Sequence, residues 1–163
     1  VRGGVPLAPL MYGSCREMGL RPGAENVPGI IGLGAAARLA IRSPLEAGPT
    51  MAALRDGLWA ALEAEVRPQP RLIGNLSESL PNTLVCEFPG RDARELLRVL
   101  PHLAAAAAWP DSRDDELAHA LRAIGLPDSR AASCIRFSLG WTTTQEQIDR
   151  AVHWLANACA RAN

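Results

Sequence analysis

No lysine occurs in this chain: all 17 of its basic residues are arginine. No side-chain amine is therefore at hand within it for covalent chemistry. Charge of one sign is not in excess either. Asp and Glu balance the arginines to a net charge of zero, which leaves no electrostatic footprint for nucleic acid or an anionic lipid surface. No run of about 18 apolar residues is present, so no membrane span is expected. Cys15, Cys86, Cys134 and Cys159 lie far apart with no CxxC, and His102, His119 and His153 are isolated. That spacing argues against a zinc site and a disulfide framework, and predicts a reducing, cytoplasmic setting. Each histidine reads as a solvated or satisfied side chain rather than a base. No charged-then-apolar leader opens the sequence. It starts at Val1, and Val1 to Val5 reads as the end of a strand, so the chain is expected to be cut from something longer.

What is present fits one domain, or one and a small annex: 163 residues, 48% of them apolar. Residues 1–27 are rich in Gly and Pro and predict loops, with a short strand from Val5 to Leu10. Pro28 suits the first turn of a helix running to about Ile41, whose glycines and alanines would allow close backbone packing. Ser43-Pro44-Leu45-Glu46 reads as a capped turn. A second helix should begin near Thr50 and present Met51, Leu54, Leu58, Ala61 and Leu62 on one face through about Val66. Arg71 to Gly74, Thr83 to Phe88 and Ser133 to Leu139 read as strands. Helices are predicted over Arg91 to Leu100, after Asp114-Asp115-Glu116, and after Thr143-Thr144-Gln145-Glu146-Gln147, which holds two overlapping capping boxes. The Ala104 to Ala108 run before Trp109-Pro110 is strongly helix-prone. The whole predicts an α/β sandwich with a small sheet of at most three strands.

Three stretches are candidates for chemistry. Gly32-Leu33-Gly34-Ala35-Ala36-Ala37 matches a GxGxxA dinucleotide pattern, but no strand closely precedes it and the helix starts before its glycines. It reads as helix packing. Gly13 to Asn26 is a glycine-hinged polar loop of the kind that presents backbone N–H groups and arginines to phosphate, or simply a surface loop with ordinary salt bridges. Cys15 within it reads as an unremarkable thiol. In Ile135-Arg136-Phe137-Ser138-Leu139, alternation puts Arg136 on the face of Ser138, opposite Ile135 and Phe137. A guanidinium beside a core must be paired. Its partner is either a protein acid such as Glu25 or Asp149, or the carboxylate of a ligand that its planar fork matches.

Together these stretches resemble the C-terminal part of the cysteine desulfurases and selenocysteine lyases, pyridoxal-phosphate (PLP) enzymes of the class V aminotransferase group with fold type I. Gly13 to Asn26 is similar to the family's glycine-rich Gln-Glu-x-Gly-x-Arg-x-Gly-Thr-x-Asn loop. Pro81 to Leu84, His119 to Leu126, Ile135 to Gly140, Thr143-Thr144 and Ile148-Asp149 follow in order at family-like spacing. The resemblance implies that Arg136 binds the substrate carboxylate. It also implies that Arg21, Gly23 and Ala24 lie in a loop that approaches the cofactor phosphate of a neighbouring subunit in a homodimer. The implied fold is the family's small domain, a small sheet packed with helices, over 28–163 with its linking helix. Residues 1–27 would be a large-domain remnant and the glycine-rich loop.

The departures are specific. The family's cofactor sits on a lysine upstream of this region, and this chain has none. Ala24 stands where the family has a phosphate-contacting threonine, and Arg16 where it has a glutamine. The persulfide-forming cysteine should fall between Ala104 and Arg113, at about Trp109 or Pro110, and no cysteine is near. The expected function is the C-terminal portion of a PLP-dependent, C–S-cleaving enzyme acting on cysteine or a related amino acid. Its cofactor would come with a lysine-bearing N-terminal half, and a sulfur-acceptor protein is a candidate partner. Alone, the chain is expected to be inactive. The alternative is a non-catalytic remnant or pseudoenzyme that serves as a dimerisation or protein-interaction module.

Overall fold

A computed structural model describes the backbone of residues 3–46 and 48–161, and their side chains except those of 42–46. Contacts divide the chain into two units, Val1–Arg42 and Ser43–Asn163. The first holds the glycine-rich loop and most of helix α1, Val27–Glu46. No strand forms from Val5 to Leu10, because Pro6 and Pro9 remove two of the donors a ladder needs. Helix α1 starts one residue before Pro28, with Asn26 Oδ1 accepting from Gly29 N at 3.1 Å as a cap. It also continues past Ile41 through the predicted turn; the Ser43 and Glu46 side chains, and with them the expected cap, lie outside the described residues. The GxGxxA stretch is mid-helix, as read, yet a Cβ at Gly32 or Gly34 would meet nothing within 4 Å. The close packing expected of those glycines is absent among the described residues.

The second unit is built on a four-stranded antiparallel sheet. Its strands are β1 (Arg71–Leu72), β2 (Thr83–Glu87), β3 (Ala106–Ala107) and β4 (Cys134–Ser138), in spatial order β1-β2-β4-β3. The remaining helices are α2 (Gly48–Glu65), α3 (Ala93–Arg98), α4 (Glu116–Ala123), α5 (Asp128–Ala131) and α6 (Gln145–Arg161). Strand β3 corrects the helical reading of the alanine run and the three-strand limit. Pro101 and Pro110 bracket too few residues for a stable helix, so pairing of Ala106 with Arg136 and Ala107 with Ile135 outweighs propensity.

Alternation along β2 and β4 sorts the two faces of the sheet. Leu84, Cys86, Ile135 and Phe137 face a core shared with Leu58 and Leu62 of α2 and Ile148, Val152, Leu155 and Cys159 of α6. Phe88 and Phe137 meet edge to face at 6.5 Å between centroids. Val85 and Cys134 face a second, smaller cluster with Leu117, Ala118 and Leu121 of α4 and Ala131 of α5. Short helix α5 had no signal in the sequence: at four residues it shows no apolar period. Helix α6 begins with a reciprocal capping box. Gln147 N donates to Thr144 Oγ1 at 3.3 Å, and Thr144 N donates to Gln147 Oε1 at 3.0 Å. The overlapping Thr143/Glu146 box does not form, because Thr143 Oγ1 accepts from Gly140 N instead.

Candidate functional site

Arg136 sits in the middle of β4, opposite Val85 on one side and Ala106 on the other. The alternation read from the sequence holds: Ile135 and Phe137 are buried, Arg136 is half-buried and Ser138 is exposed. Both protein acids considered as its partner make contacts of their own. Glu25 is bound by Arg16 at 2.7 Å, and Asp149 accepts from Gln145 Nε2 at 2.8 Å. Among the described residues Arg136 makes no ion pair, and its Nε is buried without a hydrogen-bond partner. A buried donor left unsatisfied costs about 1–3 kcal/mol, so the position is held at some expense to the fold. The side chain lines a recess of ≈ 280 Å³ together with Ala104, Ala105, Ala106 and Ser138. The three alanines leave open the space that larger side chains would fill.

At the other end of the same strand the polar groups are satisfied. Glu87, 3% exposed, lies across from Cys134 and is held by Arg130 of α5. Arg130 Nη2 donates to Glu87 Oε2 at 2.6 Å, and Nε reaches both carboxylate oxygens at 3.1 Å. That pair raises the pKa of Arg130. Cys134 beside it is pushed up to about 11, first by burial and then by the Glu87 charge. Burial raises the Cys86 and Cys159 thiols as well. None of the three is a thiolate nucleophile at neutral pH.

The glycine-rich loop belongs to the first unit. Arg21 does gather with Gly23 and Ala24, but by turning onto their carbonyls: Nη1 donates to Gly23 O at 3.2 Å and to Ala24 O at 2.7 Å. Gly23, at φ +91°, takes the left-handed conformation, and its N–H donates to Ser14 Oγ. Arg16 bonded to Glu25 holds that carboxyl below its usual range. Cys15 is exposed.

The segment read as the persulfide loop is also occupied by its own contacts. The Trp109 ring stacks under Arg94 at 5.3 Å, and the Trp109 backbone N–H donates to Asp115 Oδ2 at 3.2 Å. Arg122 Nη2 donates to Pro110 O. Asp115 in turn caps α4 through Ala118 N. An aromatic stack stands at the position to which the resemblance assigns the family's persulfide cysteine, a residue already absent from the sequence. A further polar feature had no sequence signal: Arg55 of α2 is buried and donates to Asp56 Oδ1 and to Leu80 O. Among the described residues no group of three His, Cys, Asp or Glu is placed to hold a metal ion. No helix there is long and apolar enough to cross a membrane.

Comparison with known proteins places this geometry. No family model matches the sequence. A cysteine desulfurase of Frankia sp. is 39% identical over 157 residues, 95% of this chain and 38% of its own length. The cysteine desulfurase of a Nostoc species is 39% identical over 155 residues, 93% of this chain and 38% of its own. The chain belongs with the cysteine desulfurase-like proteins. The solved structure of a NifS-like protein superposes on this desulfurase-like chain with a TM-score of 0.83 at 31% identity, over 99% of this chain and 41% of that one. The chain thus spans about two fifths of the relatives it matches. The α/β fold with its small sheet, read from the sequence, is the one these structures share with it.

Proposed function

We propose that this chain is the C-terminal, substrate-carboxylate-binding portion of a PLP-dependent cysteine desulfurase-like enzyme acting on cysteine or a related α-amino acid. One observation carries the reading: among the described residues Arg136 pairs with no acid, and it has a buried unpartnered Nε and an open recess beside it. A guanidinium fork accepts a carboxylate bidentately, fixing the amino acid's orientation as well as adding binding energy. Similarity to cysteine desulfurases over nearly the whole chain supports that choice of ligand. Residues 1–27 then stand as the large-domain remnant with its loop, and 28–163 as the linking helix and small domain.

The residues present do not by themselves fit PLP. The cofactor's aldehyde needs a lysine amine, and the chain has none. Arg21 spends its Nη1 donor on its own loop, and Ala24 offers no hydroxyl to a phosphate. Cofactor chemistry therefore requires a lysine-bearing N-terminal half, fused or as a separate chain, with the dimeric partner loop as a further contact. No cysteine lies between 104 and 113, so any sulfur removed would pass to an external acceptor. The test combines this chain, the lysine-bearing N-terminal half of the Frankia relative, PLP and dithiothreitol as thiol acceptor, and measures consumption of L-cysteine. Cofactor-dependent turnover, with KM raised at least about tenfold by Arg136→Ala, is expected. No turnover in the mixture overturns the reading.

A second reading, a non-catalytic dimerisation or interaction module, is favoured by a different observation. Helix α1 exposes Ile30, Ile31, Leu33, Leu39 and Ile41, each more than half accessible. Apolar surface of that kind is ordinarily covered by a partner. On this reading the chain sediments as a stable oligomer and the reconstituted mixture is silent; a monodisperse monomer counts against it.

A further inference from the structure

A second cavity, of ≈ 310 Å³, opens on the face of the sheet opposite Arg136, beside the end of β4 and the first turns of α6. That size falls at the lower end for small-molecule sites, about 300–1,000 Å³. Its floor is apolar and buried: Leu58, Phe137, Leu139 and Ile148 are each less than 10% exposed. On its rim Arg150 of α6 lies over the Trp154 ring at 5.1 Å, and the His102 ring approaches the same indole at 6.1 Å between centroids. Among the described residues no acid lines the cavity, and Arg150 is its one permanent charge. Arg150 makes no ion pair or hydrogen bond among them; Asp149 next to it accepts from Gln145 instead. A guanidinium stacked by its face keeps the edge of its fork, where the N–H groups point, available for an anion. Two other polar side chains at the rim are committed: Thr143 Oγ1 accepts from Gly140 N, and Gln147 Oε1 from Thr144 N.

We propose that this cavity binds a small amphipathic carboxylate, one acid group on an apolar body. The body covers Phe137, Leu139 and Ile148, and the carboxylate meets the edge of the Arg150 guanidinium. Each half of the site disfavours a simpler ligand. A small hydrated anion gains nothing from an apolar floor, and a neutral hydrocarbon leaves the one charged donor unanswered. Every residue invoked belongs to the second unit and to one face of the sheet, so the site is independent of the Arg136 role and of any cofactor.

Titration of the 163-residue chain with hexanoate, hexanol and acetate, followed by NMR at the Trp154 indole N–H, tests it without turnover. Trp154→Phe identifies that signal. Hexanoate should bind at least about tenfold more tightly than hexanol, the usual worth of one charge-assisted pair. It should exceed acetate, which lacks the apolar body, by at least about as much. Arg150 is exposed, so its variants should fold as wild type does. Arg150→Gln should bring hexanoate down to the hexanol affinity and leave hexanol unchanged, and Arg150→Lys should restore part of the difference. Equal affinities for hexanoate and hexanol, or hexanoate binding unmoved by Arg150→Gln, overturn the anion role of Arg150 and the proposal with it. Acetate binding as tightly as hexanoate, or no Trp154 shift with hexanoate, overturns the proposal as well.

Discussion

The two ends of strand β4 treat an arginine in opposite ways. At the Cys134 end, Arg130 closes on buried Glu87 with three short contacts, and α4 and α5 cover the neighbouring apolar residues. From the middle of the strand toward its Ser138 end, Arg136 keeps a buried Nε without a partner and borders an open recess lined by alanine. Both positions place a guanidinium beside the sheet, so burial alone does not separate structure from function. Whether the protein supplies the counter-charge does. The fold pairs Arg130 well and leaves Arg136, six residues further along the chain, without an ion pair among the described residues, and the proposed ligand role rests on that contrast.

The largest effect should come from breaking the satisfied end. Glu87→Ala leaves Arg130 without its acid and should cost about 3 kcal/mol, the low end for a broken buried pair because Arg130 is partly open to water. Urea unfolding checks it, and a loss below about 1 kcal/mol would erase the contrast between the ends. Alkaline pH strains the same end. Burial pushes the Cys134 thiol up to about 11 in the folded chain against an ordinary thiol value of 9.0, so the unfolded chain loses the proton first. Stability is therefore unaffected below about pH 9 and falls between about pH 9 and 11, by roughly 2–3 kcal/mol from this thiol. Cys134→Ala should flatten that fall in a pH series of unfolding curves. Cys86 and Cys159, raised in the same direction, would leave a remainder.

Smaller effects belong beyond the open end, at the start of α6. Thr144→Ala removes one half of the capping box and should cost about 1 kcal/mol, read as a lowered urea midpoint. Thr143→Ala removes only the hydroxyl that receives Gly140 N, and should cost less than Thr144→Ala. The smallest change is expected at the arginine itself: Arg136→Met, keeping volume without charge, should alter stability by less than about 0.5 kcal/mol or raise it.

Much of this was legible in the chain because it is local. Period-2 alternation around Arg136 gave its face, the Thr144–Gln147 spacing gave the cap, and the apolar spacing of Leu54, Leu58 and Leu62 gave the buried side of α2. What could not be read is what depends on partners distant in sequence. The alanines at 106 and 107 favour a helix until Arg136 and Ile135 offer them a ladder. Val5 to Leu10 carries strand-like residues, but two prolines deny it one. The Glu87–Arg130 pair joins residues 43 positions apart, and neither looks unusual where it stands. Arg136 itself could be flagged from sequence, but the unpartnered Nε that makes it a candidate shows only in three dimensions.

The most direct measurement is the urea unfolding free energy of the wild-type chain and of Arg136→Met, each with and without a saturating amino acid. The account predicts that the variant loses less than about 0.5 kcal/mol relative to wild type in buffer, or gains stability. It also predicts that the ligand stabilises wild type alone, by about 2–3 kcal/mol at a hundredfold excess over Kd. A variant that loses 1 kcal/mol or more in buffer, with no ligand effect on wild type, would make Arg136 a structural arginine like Arg130 and contradict the account.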